Sequence, residues 1–126
     1  MIPQRYDLTI YQGSDLIRYF ALRTTTGTVL NLATVGDGYT IGRMTIRESL
    51  GGTEVLPLTT TNGRIDLTYQ ADSNGTYWSG RIVVDAATTA GIEDFGDGIY
   101  DLEISDGLHV FRILEGVARV SPESTS

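Results

Sequence analysis

The chain has 126 residues, no cysteine and a formal charge of −7 at neutral pH, with a sequence pI near 4.4. This length suits one domain that buries a core without staples, and the lack of cysteine excludes a disulfide framework and a thiolate metal site. The acidic balance opposes the phosphate contacts that nucleic-acid binding needs, and neither a bilayer-spanning apolar run nor a basic-then-apolar leader is present, so no nucleic acid, no membrane and no secretion signal are expected.

The residues alternate in period two from end to end, with no helical stretch of three turns. Residues 6–11 form a first strand with Tyr6, Leu8 and Ile10 on one face, and residues 16–23 a second with Phe20 and Leu22 inward. A short strand at 29–32 precedes the loop Gly36-Asp37-Gly38. Residues 39–48 form the next strand, in which Gly42 marks a bulge, and Gly51-Gly52 is a turn. Asn62-Gly63 is a strong two-residue hairpin signal. Pairing outward from it sets Thr60 opposite Ile65, Leu58 opposite Leu67 and Leu56 opposite Tyr69, with Pro57 outward on an edge strand because it cannot donate to a ladder. Asn74-Gly75 leads into a long strand at 76–85, and residues 86–95 hold the only candidate helical turn.

The last quarter predicts a second hairpin. Asp106-Gly107 fits a type I′ turn, whose two central residues both need positive φ. Pairing outward sets Ile104 opposite His109, Leu102 opposite Phe111 and Tyr100 opposite Ile113 on an apolar face. The other face carries Glu103 opposite Val110, Ile99 opposite Leu114 and Asp101 opposite Arg112, the last a register-fixing ion pair. Strands of this length, with turn signals every eight to twelve residues, indicate an all-β fold, an immunoglobulin-like antiparallel β-sandwich with one short helical turn near 86–95. Residues 1–121 form the single domain, and residues 122–126 a small polar tail that frays or reaches a neighbour.

Chemistry is sparse. With one histidine and no cysteine, only a Ser–His arrangement is open to nucleophilic catalysis, and the register makes His109 a half-buried rim residue beside Leu102 and Phe111. No Gly-x-Ser-x-Gly elbow or phosphate-binding glycine loop occurs. Glu93, Asp94 and Asp97 crowd one loop, followed by Asp101 and Glu103, but their spacing is not that of an EF-hand; a solvated acidic loop is the expectation. Tyr77 and Trp78 are adjacent on a strand and face opposite ways. Trp78 is either the core tryptophan of the sandwich or an exposed anchor, which would suit protein contacts or a sugar platform beside Tyr69 or Arg81. No catalytic, cofactor-binding or metal-binding residues are assigned, and no enzyme activity or cofactor is expected. All nine basic residues are arginine, which pairs well with carboxylates at interfaces and is also what a GC-rich genome encodes.

The run G-x-Y-D-L-E-I, a polar turn, then V-x-R-I-L-x-G-x-A-x-V-x-P-E is carried by Gly98, Tyr100, Asp101, Leu102, Glu103, Ile104, Val110, Arg112, Ile113, Leu114, Gly116, Val120, Pro122 and Glu123. It resembles the end of a small β-sandwich domain of tailed-bacteriophage virion proteins, found at the N-terminus of baseplate upper proteins and in short stand-alone tail or virion proteins. Gly13, Gly27, Asn31-Leu32, the strand Met44-Thr45-Ile46-Arg47 and the Ala/Thr-rich turn at 86–92 echo the same family, so the resemblance spans nearly the whole chain. It implies a non-enzymatic structural protein of a bacteriophage particle, assembled in the bacterial host cytoplasm. Such a protein binds other virion proteins in a symmetric assembly or as a homo-oligomer, in the tail or baseplate or, alternatively, on the capsid as a decoration protein. A carbohydrate-binding module for a host glycan is the alternative of another class. Trp78 exposed beside Tyr69 or Arg81 would favour the module; burial of Trp78 would remove it.

Overall fold

A computed structural model describes residues 4–35, 38–48, 52–93 and 96–122. In chain order the elements are β1 (Gln4–Arg5), β2 (Leu8–Tyr11), β3 (Leu16–Phe20), a 3-10 turn (Leu32–Thr34), β4 (Ile41–Arg47), β5 (Glu54–Thr59), β6 (Ile65–Asp66), β7 (Gln70–Ala71), β8 (Tyr77–Trp78), β9 (Gly80–Val84), α1 (Ala86–Ala90), β10 (Asp97–Ser105) and β11 (Val110–Ser121). The fold is an all-β sandwich. The larger sheet runs β1-β11-β10-β4-β5, with β2 continuing beside β11, and the smaller runs β3-β9-β6; β7 and β8 form a separate two-stranded flap.

Period-two burial builds the core. In β10, Tyr100, Leu102 and Ile104 are buried while the residues between them are half-exposed. Leu8, Ile10, Met44, Ile46, Leu58 and Ile113 join them from the larger sheet, and Phe20, Ile65, Ile82 and Val84 from the smaller. Phe20 and Leu22 point inward as the sequence predicts. The helical turn forms at Ala86–Ala90 because the Asp85 carboxylate caps it, accepting the Thr88 N–H at 2.8 Å. Pro57 is exposed on β5, the outer strand of the larger sheet, where its missing N–H costs no ladder bond.

Several sequence expectations are corrected. The final hairpin forms, but not around a two-residue turn. A type I′ turn needs Asp106 at positive φ, and among the described residues only glycines adopt it; Gly107 sits at 98°. The Asp106 carboxylate instead accepts the N–H groups of Leu108 and His109, at 2.8 and 2.6 Å, opening the loop to four residues. Ser105 therefore faces Val110, Ile104 faces Phe111 and Glu103 faces Arg112. A shift of two residues keeps each side chain on its predicted face. Then a bulge inserts Ile113, so that Leu102 faces Leu114 and Asp101 faces Glu115. The bulge turns Ile113 and Leu114 both into the core, at 0% and 6% exposure. Asp101 and Arg112 still meet, diagonally, at 3.6 Å, and Arg112 also reaches Glu115 at 3.6 Å.

Asn62-Gly63 joins two sheets rather than two strands of one ladder. Its side chain accepts the N–H groups of Thr59 and Arg64 at 3.0 and 3.1 Å. The chain turns a corner there, so β5 pairs with β4 and β6 pairs with β9. Gly42 stays in regular register opposite Ile104. It is small because a Cβ there would lie 2.9 Å from Ile65 Cγ2. The long strand at 76–85 breaks at Ser79, whose hydroxyl accepts the Leu22 N–H at 2.9 Å in place of a backbone partner. The strand at 29–32 reduces to a bridge between Arg23 and Val29 followed by the 3-10 turn. The first strand divides at Tyr6 and Asp7, leaving Tyr6 47% exposed. Both halves run parallel to β11, whereas the other strand pairings among the described residues are antiparallel. The expected turn residues Gly36, Asp37 and Gly51, and the tail from Glu123 on, lie outside the described residues.

Candidate functional site

The residues 16–20, Leu-Ile-Arg-Tyr-Phe, make β3 an edge strand of the smaller sheet with an unusual inward face. Leu16, Arg18 and Phe20 share that face by alternation. Leu16 and Phe20 are buried, yet Arg18 is exposed. An arginine at a core position stays hydrated only because the sandwich is open beside it. The gap is a groove of about 470 Å³ between the β1 and β3 edges. Its walls carry Tyr6, Tyr19, Trp78 and Tyr100, and its charged lining consists of Arg5, Arg18 and Arg23. Among the described residues no carboxylate lines it, although acidic residues outnumber basic ones 16 to 9 in the chain.

The polar groups around the groove each have a neighbour within the chain. The Arg18 guanidinium lies 5.8 Å from the Tyr6 ring centroid, a cation–π contact across the gap. Arg23 donates to the Gly27 carbonyl at 3.1 Å, and Arg5 stands 3.7 Å from Asp7. The Tyr100 hydroxyl donates to the Tyr6 carbonyl. Burial, reinforced by the nearby charge of Asp7, pushes that phenol well above its ordinary value, so it stays a protonated donor at any working pH.

Trp78 forms the outer wall. It is half-buried, with its ring 5.9 Å from that of Tyr19 at 33°. Its indole N–H donates to Asp72 at 2.9 Å. That bond, with the N–H groups of Thr76 and Asn74, holds the Asp72 carboxyl below its usual range. On the opposite face of the flap Tyr77 stacks on Tyr69, centroids 4.9 Å apart and planes at 18°, with 51% and 38% of each residue exposed. Adjacent strand residues thus do face opposite ways, and neither is a core tryptophan or tyrosine. Trp78 is the only tryptophan, so its fluorescence reports on the flap. Replacing Asp72 with alanine is expected to move the emission of the folded protein to longer wavelength as the indole loses its anchor. An unchanged spectrum would show that the flap does not depend on this bond.

The other sequence candidates lie apart. His109 is not a rim residue of the core: its side chain is 66% exposed on the hairpin loop, with Nδ1 3.2 Å from Asp106. Asp97 is paired to Arg119 at 2.7 and 3.2 Å, Asp101 to Arg112, and Arg81 to Asp66 at 3.5 Å. Glu93 is exposed and Asp94 lies outside the described residues. Among the described residues no three acidic or histidine side chains converge as a metal site would require.

The Asp106 loop gives a prediction of its own. Chiefly the His109 N–H, then the Leu108 N–H and the His109 ring, lower the Asp106 carboxyl from 3.8 to about 2. A depressed carboxyl stabilises the fold fully above its unfolded value, and that contribution is lost as pH falls from about 4 through about 2. Melting temperature followed over that window should fall more steeply for the native chain than for Asp106→Asn. Parallel curves would rule out a contribution from this loop.

No protein-family model matches the chain, and no curated protein is similar to it in sequence.

Proposed function

We propose that this domain is a non-enzymatic binding protein that works as a structural component of a larger assembly. The observation that carries this reading is the open gap between two sheet edges, lined by aromatic rings and arginines. Tyrosine, tryptophan and arginine are the side chains that anchor protein contacts most strongly. The resemblance of the β10–β11 residues to tailed-phage virion domains supports a bacteriophage particle as that assembly. Within it, tail or baseplate is favoured over decoration of the capsid, and the partners are other virion proteins.

The test is quantitative mass spectrometry of gradient-purified particles released from a bacterium that carries the gene. The chain should sediment with the particles at a fixed copy number relative to the other virion proteins. Its absence from them would overturn the virion reading.

One observation favours a second reading. The stacked Tyr69–Tyr77 pair is an exposed aromatic platform of the kind that receives a sugar ring. The half-buried Trp78 lends it no support. If the flap binds host glycan, the native chain is retained on immobilised host polysaccharide and Tyr77→Ala is not.

A further inference from the structure

The register fixes which backbone groups of β3 are available. In an antiparallel sheet each residue directs its N–H and C=O to the same side, and this side alternates along the strand. Val83 in β9 donates its N–H to the Arg64 carbonyl at 2.9 Å, on the β6 side. Its other neighbour, Ile17, therefore sits at a position where β3 and β9 exchange no hydrogen bond. It follows that Ile17 and Tyr19 turn their N–H and C=O groups outward, to the free edge that borders the groove. Ile17 is 46% exposed.

We propose that the groove receives an extended acidic segment of another protein chain, which adds to β3 as a further strand. This rests on the reading of the domain as an assembly component and supplies its contact. Strand addition draws affinity from main-chain bonds and selectivity from alternate side chains. Here the main-chain partners are Ile17 and Tyr19. The added strand's inward side chains enter the gap beside Arg18 and Arg5, and its outward ones lie along Ile17 and Tyr19. An inward-pointing charge on an edge strand repels indiscriminate pairing. The same charge accepts a strand that brings a carboxylate to that position, so Arg18 both protects the edge and selects the partner. Arg5 is paired with Asp7, but among the described residues no carboxylate pairs with Arg18, so its electrostatic complement is left to the added strand.

The probe is a blocked, fluorescein-labelled peptide alternating glutamate and valine, titrated with the native chain and followed by anisotropy. Two companions share its length, one alternating lysine and valine and one with alternate backbone amides N-methylated; a fluorescein-labelled acidic oligosaccharide is titrated separately. The glutamate peptide should bind, the lysine peptide about tenfold more weakly or worse, and the N-methylated peptide should lose most of the binding. Added salt should weaken the complex. Arg18→Glu should invert the preference, so that the lysine peptide binds the better. No binding of the glutamate peptide up to millimolar concentration overturns the proposal, as does equal binding of the N-methylated form. An acidic oligosaccharide that binds where the peptide does not reassigns the groove to sugar acids and overturns it too. The particle experiment fails or succeeds separately: a chain found in particles that ignores the peptide keeps the assembly role and loses this contact.

Discussion

Replacing Gly116 with alanine is expected to lower the stability of the domain by roughly 3 kcal/mol, or about 10 °C in melting temperature. Gly116 lies in β11 opposite Tyr100, and a Cβ there would stand 2.3 Å from the Tyr6 carbonyl oxygen and 2.9 Å from its carbon. These are backbone atoms, which cannot swing aside like the end of a long side chain. The segment between β1 and β2 would have to lift away from β11. With it would go the Tyr6 N–H bond to the Glu115 carbonyl at 2.9 Å, the Val117 N–H bond to Asp7 at 3.0 Å and the Tyr100 hydroxyl bond to Tyr6. Each such loss is worth about 1 kcal/mol. Thermal melting of Gly116→Ala against the native chain checks this. A shift under about 2 °C would mean that the N-terminal strands contribute little to the fold.

Leu102→Ala should cost about 3 to 4 kcal/mol, measured by urea unfolding with an unchanged slope. Leu102 occupies the middle of β10, the strand bonded on both sides, and faces Leu114 in β11 and Met44 in β4. It is fully buried. Removing it leaves a cavity behind a strand whose backbone is fixed by ladders on both sides, so the site collapses little. Leu108→Ala is the matched control: the same change at a residue 84% exposed on the hairpin loop should cost under about 0.5 kcal/mol. Equal effects at the two positions would overturn this packing.

What the sequence discloses is local chemistry, and what it conceals is how distant segments meet. Alternation places Phe20, Leu22, Leu102 and Ile104 correctly because each strand buries one face whatever its neighbour is. Pro57 marks an edge because a missing donor means the same thing in any sheet. The turn dipeptides mislead in a particular way. Asn62-Gly63 and Asp106-Gly107 do turn the chain, but a turn residue does not say whether the strands it joins will pair. At position 62 the side chain satisfies two backbone N–H groups and sends the chain into the other sheet. At position 106 the carboxylate takes the same role and lengthens the loop, which carries His109 out into solvent. The bulge at Ile113 is written only in two adjacent apolar residues, Ile113-Leu114, that also fit a strand buried on both faces. Of the groove, one sign was present: Arg18 alternates with Leu16 and Phe20 and so occupies a core position. Its meaning depends on β1 standing across the gap, and nothing within residues 16–20 encodes that.

The strands nearest the N-terminus take their hydrogen bonds from β11, more than a hundred residues further on; Leu8 pairs with Ala118 and Tyr11 with Ser121. On the ribosome β1 and β2 are made before the other strands of this domain and wait, unpaired, until β11 follows. The β10–β11 hairpin closes over a short loop and costs little entropy to nucleate, whereas docking β1 and β2 closes a loop of more than a hundred residues. The native sheet is therefore sealed only once β11 has been made. Until then the apolar side chains of Leu8 and Ile10 are free to engage whatever strand edge is near, including that of another copy.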